Sequence, residues 1–149
     1  YKLRQWDAVF RPSGPPLHRQ NDIMFIGKVV ILHAAHKCQL VLSVLYREYL
    51  TRRNHRVPLS DACYFGNGNS IQENFLPDML PEDVNELCWM LHEKELLHVT
   101  PGDDLANNVT LTQDGIIYME HQTPDKLKNI GDVITWLSGV ISTIISFYK

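Results

Sequence analysis

From Val133 to Tyr148, "VITWLSGVISTIISFY", the chain carries no charged side chain, and whatever fold it adopts must hide one face of that run. A heptad numbered from Ile130 puts Ile130, Leu137 and Ile144 at a, Val133, Val140 and Phe147 at d, and Ile134, Ile141 and Tyr148 at e. All nine are apolar and form a broad stripe on a helix expected to begin near Lys126. Thr135, Ser138, Gly139, Ser142 and Ser146 fall on the other side, where a soluble coiled coil would carry Glu and Lys. Three burials suit such a stripe: a bundle of copies, a membrane, or the chain's own domain. A spanning helix needs about 20 apolar residues, a length reached here only by including Asp132. Self-association, in water or at a membrane, is the expectation, carried by Ile130, Val133, Ile134, Leu137, Val140, Ile141, Ile144 and Phe147.

The rest of the chain reads as one globular domain. Its 149 residues suffice to bury a core, and 44% hydrophobic with 21% charged residues excludes wholesale disorder. A net charge of −3 gives no general attraction to nucleic acid or acidic membranes. Cys38, Cys63 and Cys88 are odd in number and widely spaced, which fits reduced thiols in a cytoplasmic protein. The sequence opens on Tyr1, so residues are expected to precede it. "YKLRQWDAVF" lacks the apolar stretch of a signal peptide, and Lys28 interrupts "IMFIGKVVILHAA".

Along the chain, residues 1–22 contain "RPSGPP" and read as an irregular arm. Ile23–Ala35 fits a strand or the start of a buried helix. "CQLVLSVLYREYLTRR" is helical, with Leu42, Leu45, Tyr46 and Tyr49 on one stripe. Pro58 stops it, Ser60 is the expected N-cap of a short second helix, and "GNGNS" reads as a flexible connection. In "LPEDVNELCWMLHEKELL" Pro81 suits a first helical position, and Val84, Leu87, Cys88 and Leu91 are the buried stripe. "LLHVT" and "VTLT" read as strands around the loop "PGDDLANN". A short helix, "QDGIIYMEH", follows Thr112 as cap and ends at Thr123–Pro124.

Leu96, Leu97, Val109, Leu111, Thr112, Gly115, Tyr118, Met119 and Glu120 make up a pattern of two strands, a capping Thr and "G-x-x-Y-M-E". Over residues 38–121 the chain resembles small bacterial and phage winged-helix proteins. The resemblance implies a mainly α, winged helix-turn-helix-like domain over residues 23–121 with a two-stranded wing, followed by a long apolar C-terminal helix over residues 125–149. The stretch "GNGNSIQENFLPDML" departs from the family by being longer than a tight helix-turn-helix turn.

The surfaces point to interaction rather than catalysis. In a DNA-binding winged helix the third helix enters the major groove. Here it carries Glu82, Asp83, Glu86 and Glu93, which repel phosphates and suit a protein partner. The one basic concentration, Arg47, Arg52, Arg53 and Arg56, suits an acidic partner or a phosphate backbone, or is simply a solvated helix end. His33, His36 and Cys38, or Cys88 with His92, match no usual zinc spacing, so no metal is expected. No phosphate loop, nucleophile elbow or HExxH motif is present, so neither enzyme activity nor a cofactor is expected. The sequence therefore reads as a non-enzymatic winged-helix interaction module. Two rivals stand beside it: a transcriptional regulator that dimerises through the tail and touches DNA with the four arginines, and a membrane-disrupting effector.

Overall fold

A computed structural model describes residues 22–146, with side chains from His36 onward. Phe147, Tyr148 and the arm expected over residues 1–22, apart from the backbone of Asp22, lie outside the described residues, as does the side chain of His33. The described chain is mainly helical with one two-stranded antiparallel sheet, an order compatible with a helix-wing fold.

Helix α1 (Asp22–Asn54) is continuous for 33 residues, so the 23–35 segment is helix and not strand. From Leu40 to Tyr46 every side chain is buried, Ser43 included. A helix apolar all round is enclosed all round, and α1 accordingly packs against both ends of the chain's remaining structure. Helix α2 (Leu59–Ala62) is a single turn. Its cap position is held by Pro58 in extended conformation, and Ser60 lies inside the turn instead of capping it.

Where a flexible connection was expected, the chain forms helix α3 (Gly68–Phe75). The glycines and asparagines of "GNGNS" start this helix: the Asn67 side chain accepts a 2.8 Å bond from the Ser70 amide. Residues 76–80 then turn into α4 (Pro81–Glu93), where Pro81 is the first helical residue as expected. The apparent over-long turn thus contains a helix of its own, and the true α3–α4 turn is short. Helix α4 ends in a Schellman motif, with Leu96 N donating to Leu91 O, Glu95 N donating to His92 O, and Glu95 at φ 64.

Strands β1 (Leu97–Gly102) and β2 (Leu105–Leu111) pair from Leu97↔Leu111 to Gly102↔Leu105. The loop is shorter than expected: only Asp103 and Asp104 turn, both at positive φ, as the tightest right-twisted hairpins require. Beside β2, Tyr64 makes an isolated antiparallel bridge to Thr110, with Phe65 N bonded to Val109 O and Leu111 N to Cys63 O. Leu97, Val99, Val109 and Leu111 turn inward, as their alternation in the sequence implies, and Ala106, expected in the loop, joins them.

Helix α5 (Gln113–Gln122) begins at Thr112, whose hydroxyl accepts from Gly115 N at 3.0 Å and donates to Glu95 O at 2.7 Å. Tyr118, at the end of that motif, is buried and donates to Gln39 on α1. The final helix α6 (Ile130–Ser146) starts later than Lys126 because the chain first turns at Pro124. Asn129 then accepts the Gly131 amide at 2.7 Å.

Helix α6 runs antiparallel to α1, since Arg47 bonds Ser138 at 3.3 Å while Ile145 shares a cavity wall with Leu40 and Lys37. Leu137 and Ile141 are buried in the same core as α1, with Val133, Trp136, Ile144 and Ile145 packed at its edge. Residues 130–146 of the element expected over 125–149 thus share a core with α1. No helix among the described residues is long and apolar enough to cross a membrane.

Candidate functional site

The expected acidic face on α4 is brought together only in part. Glu82, Glu86 and Trp89, one helical turn apart in succession, line an open groove of about 570 Å³. Asp104 and Leu105 of the wing form its other wall. Asp83 points elsewhere, into a smaller cavity of about 290 Å³ among Lys37, Met79 and Leu80. Glu93 is exposed at the far end of α4 and lines neither space.

The groove owes its shape to a residue that the sequence reading passed over. Asn85 is 7% exposed and holds three elements at once. Its amide nitrogen donates to Asn69 Oδ1 at 2.9 Å and to Pro81 O at 2.8 Å, while its oxygen accepts from Ala106 N in β2 at 2.8 Å. Gly68 must be glycine for the same reason, because a Cβ there would overlap the Asn85 side chain. The only sequence signal was a polar residue beside the apolar stripe of α4, and its partners lie 16 and 21 residues away. Replacing Asn85 with Ala strands the Ala106 amide in a buried setting, so a loss of about 2 kcal/mol is expected in urea unfolding. A loss below roughly 0.5 kcal/mol would show that water replaces the amide freely.

The four arginines do not form a free basic patch. Arg47 reaches Ser138 on α6. Arg52 is a clamp: it pairs with Glu48 at 3.2 Å, donates to the carbonyls of Asp61 and Tyr64 at 3.2 and 2.6 Å, and lies 4.8 Å from the Phe65 ring centre. Arg53 donates to Val57 O at 3.1 Å. Arg56 is exposed, in the left-handed region at φ 63. A guanidinium occupied by carbonyls that the fold itself must satisfy is poorly available to phosphate.

The tail residues are likewise placed. Leu137 and Ile141 are buried on α1; Val133, Ile134, Val140 and Ile144 are half-buried; Ile130, at the start of α6, is 39% exposed. Outward lie Thr135, Gly139, Ser142, Thr143 and Ser146. The stripe expected to join copies faces the chain's own α1, so assembly through Leu137 and Ile141 would require α6 to leave its seat.

No group of three or more metal-binding side chains occurs among the described residues. Burial pushes the Cys38 and Cys88 thiols up to about 12, and raises Cys63 as well, which keeps all three protonated and weakly nucleophilic. His92 bonds the wing instead of pairing with Cys88 as a ligand. Comparison with protein-family models, with curated proteins and with solved structures gives no match.

Proposed function

We propose that this chain is a non-enzymatic winged-helix protein-interaction module that receives a partner in the groove between α4 and the wing. The observation that carries the reading is the chemistry of that groove: Glu82, Glu86 and Asp104 around the half-buried Trp89. The helix-turn-helix-wing order from α3 to β2 supports the winged-helix assignment, with α4 in the position that meets DNA in regulators of this class. Carboxylates there oppose a phosphate backbone, which supplies much of the affinity of DNA binders. The same carboxylates with an indole face suit a basic protein segment, since Trp is the best cation–π partner for Lys or Arg.

A titration of the chain against random duplex DNA and against an arginine- and lysine-rich peptide at low salt tests the proposal. The peptide is expected to bind, weaken as salt rises, and bind several-fold less tightly to Glu86→Lys. DNA is expected not to bind. Salt-sensitive DNA binding with no peptide binding would replace this reading with the transcriptional regulator.

A further inference from the structure

The stretch that departs from the winged-helix pattern, residues 66–80, builds a second concave space that the proposed function leaves unused. Its last six residues, "FLPDML", bring four bulky apolar side chains into the α3–α4 connection. Leu76 reaches the core, and with Phe75, Met79 and Leu80 it borders the cavity of about 290 Å³ that Leu40 of α1 and Ile145 of α6 also line. The connection is held in shape. Gln72 Nε2 donates to Met79 O at 2.9 Å and to Pro77 O at 3.4 Å, Met79 N donates to Leu76 O at 3.1 Å, and the Phe75 ring meets Phe65 edge-on. The cavity is therefore preformed, which spares a partner the cost of ordering it. Leu80, at 63%, is the most exposed large hydrophobic side chain among the described residues. An exposed leucine alone signifies nothing, but this one stands at the edge of an apolar cavity.

We infer that, given the α4–wing groove as the binding face, this cavity receives one bulky apolar side chain of the same basic protein segment. Position and charge favour that occupant. Leu80 and Asp83 border the cavity while Pro81 and Glu82 border the groove, so the surface is continuous across the first turn of α4. Asp78 and Asp83 stand at the cavity against one cation, Lys37, among the described residues. Positive residues that suit Glu82, Glu86 and Asp104 therefore suit this rim as well. The volume falls just below the range of about 300–1,000 Å³ usual for whole small-molecule ligands, and it suits a single side chain. Met79 contributes a thioether, which favours an aromatic ring. A helix with its side chains is about 10–12 Å across, and an extended segment advances about 3.3 Å per residue. The apolar residue thus stands about three or four positions from the Lys or Arg that enters the groove.

The test uses the whole chain, methyl-labelled at methionine and isoleucine, at low salt. The probe is a lysine- and arginine-rich peptide with phenylalanine about four positions from a Lys–Arg pair; its control carries alanine there. The phenylalanine peptide is expected to bind at least about tenfold more tightly, the size of a hot-spot truncation. It should also shift the Met79 and Ile145 methyl signals, which the alanine peptide leaves in place. Leu80→Ser should cut the preference to less than about threefold; Leu80 is exposed at the N-cap of α4, where serine is favoured, so the fold is retained. Equal binding of the two peptides overturns the inference and leaves the groove reading standing, whereas binding of neither removes both. A preference undiminished in Leu80→Ser, or Met79 and Ile145 signals that do not move, places the anchor elsewhere and overturns it. Methyl signals that move with protein concentration alone give the cavity to a second copy, and contacts from residues 147–149 to Met79 in the peptide-free chain give it to the chain itself; either result overturns the inference too.

Discussion

Gly115→Ala is expected to destabilise the chain by about 3 kcal/mol, at the upper end of the usual cost of overpacking a well-filled site. The new Cβ would overlap the Leu96 carbonyl, with Leu111 Cδ1 at 3.0 Å and the Leu96 carbonyl carbon at 3.2 Å. Retreat is blocked on the backbone side. Leu96 O accepts the Thr112 amide at 3.3 Å, Thr112 caps α5 through the Gly115 amide, and the Thr112 hydroxyl is tied to Glu95 O. Moving α5 outward to relieve the overlap would therefore loosen its own cap and the end of α4. Urea unfolding should show a lowered midpoint with an unchanged slope. A loss under roughly 1 kcal/mol would mean that α5 shifts without disturbing those bonds, and that the contact does not fix its position. Gly115 is not at positive φ, so the requirement comes from close approach and not from backbone conformation.

Gly115 stood out in the sequence only through the winged-helix resemblance, since the Leu96 carbonyl that constrains it lies at the far end of the hairpin; the inward alternation of Leu97, Val99, Val109 and Leu111 was legible because it is a property of the hairpin alone. What stayed hidden depends on partners distant along the chain. "GNGNS" reads as a breaker because Gly and Asn favour turns, yet Asn67 caps a helix and Gly68 answers to Asn85 on another one. Arg52 looks like a surface cation, since nothing in "LTRRNHR" reveals that the carbonyls of Asp61 and Tyr64 will come round to it. Glu82, Glu86 and Glu93 are exposed, but whether Asp83 joins Glu82 depends on where α1 and the α3–α4 turn come to rest. Helical spacing sets His92 one turn from Cys88 and gives no sign of what it bonds. Its true partner is an amide released by a bulge, and a bulge leaves no mark in hydrophobic alternation.

The tail shows the same division between a stripe and its partner, and it can be tested directly. An amphipathic helix must bury its apolar face, but its sequence does not say against what. With Leu137 fully buried against α1 and the rest of the core, Leu137→Ala is expected to cost about 3 kcal/mol, the ordinary cost of leaving a cavity at a large aliphatic residue. Both the wild-type and the variant unfolding free energies should be independent of protein concentration, because the contact is made within one chain. If α6 instead joined copies, stability would rise with concentration by mass action, and Leu137→Ala would abolish that dependence. Gly139 supplies the control from the opposite side of the helix: a Cβ there meets nothing within 4 Å. Gly139→Ala should then stabilise the chain by roughly 0.5–1 kcal/mol through helix propensity alone. A destabilisation at Gly139 together with a concentration-dependent midpoint would place a second copy on the outer face of α6, where Thr135, Ser142 and Thr143 lie exposed. Stabilisation at Gly139 with a large, concentration-independent loss at Leu137 would make α6 the element that seals α1.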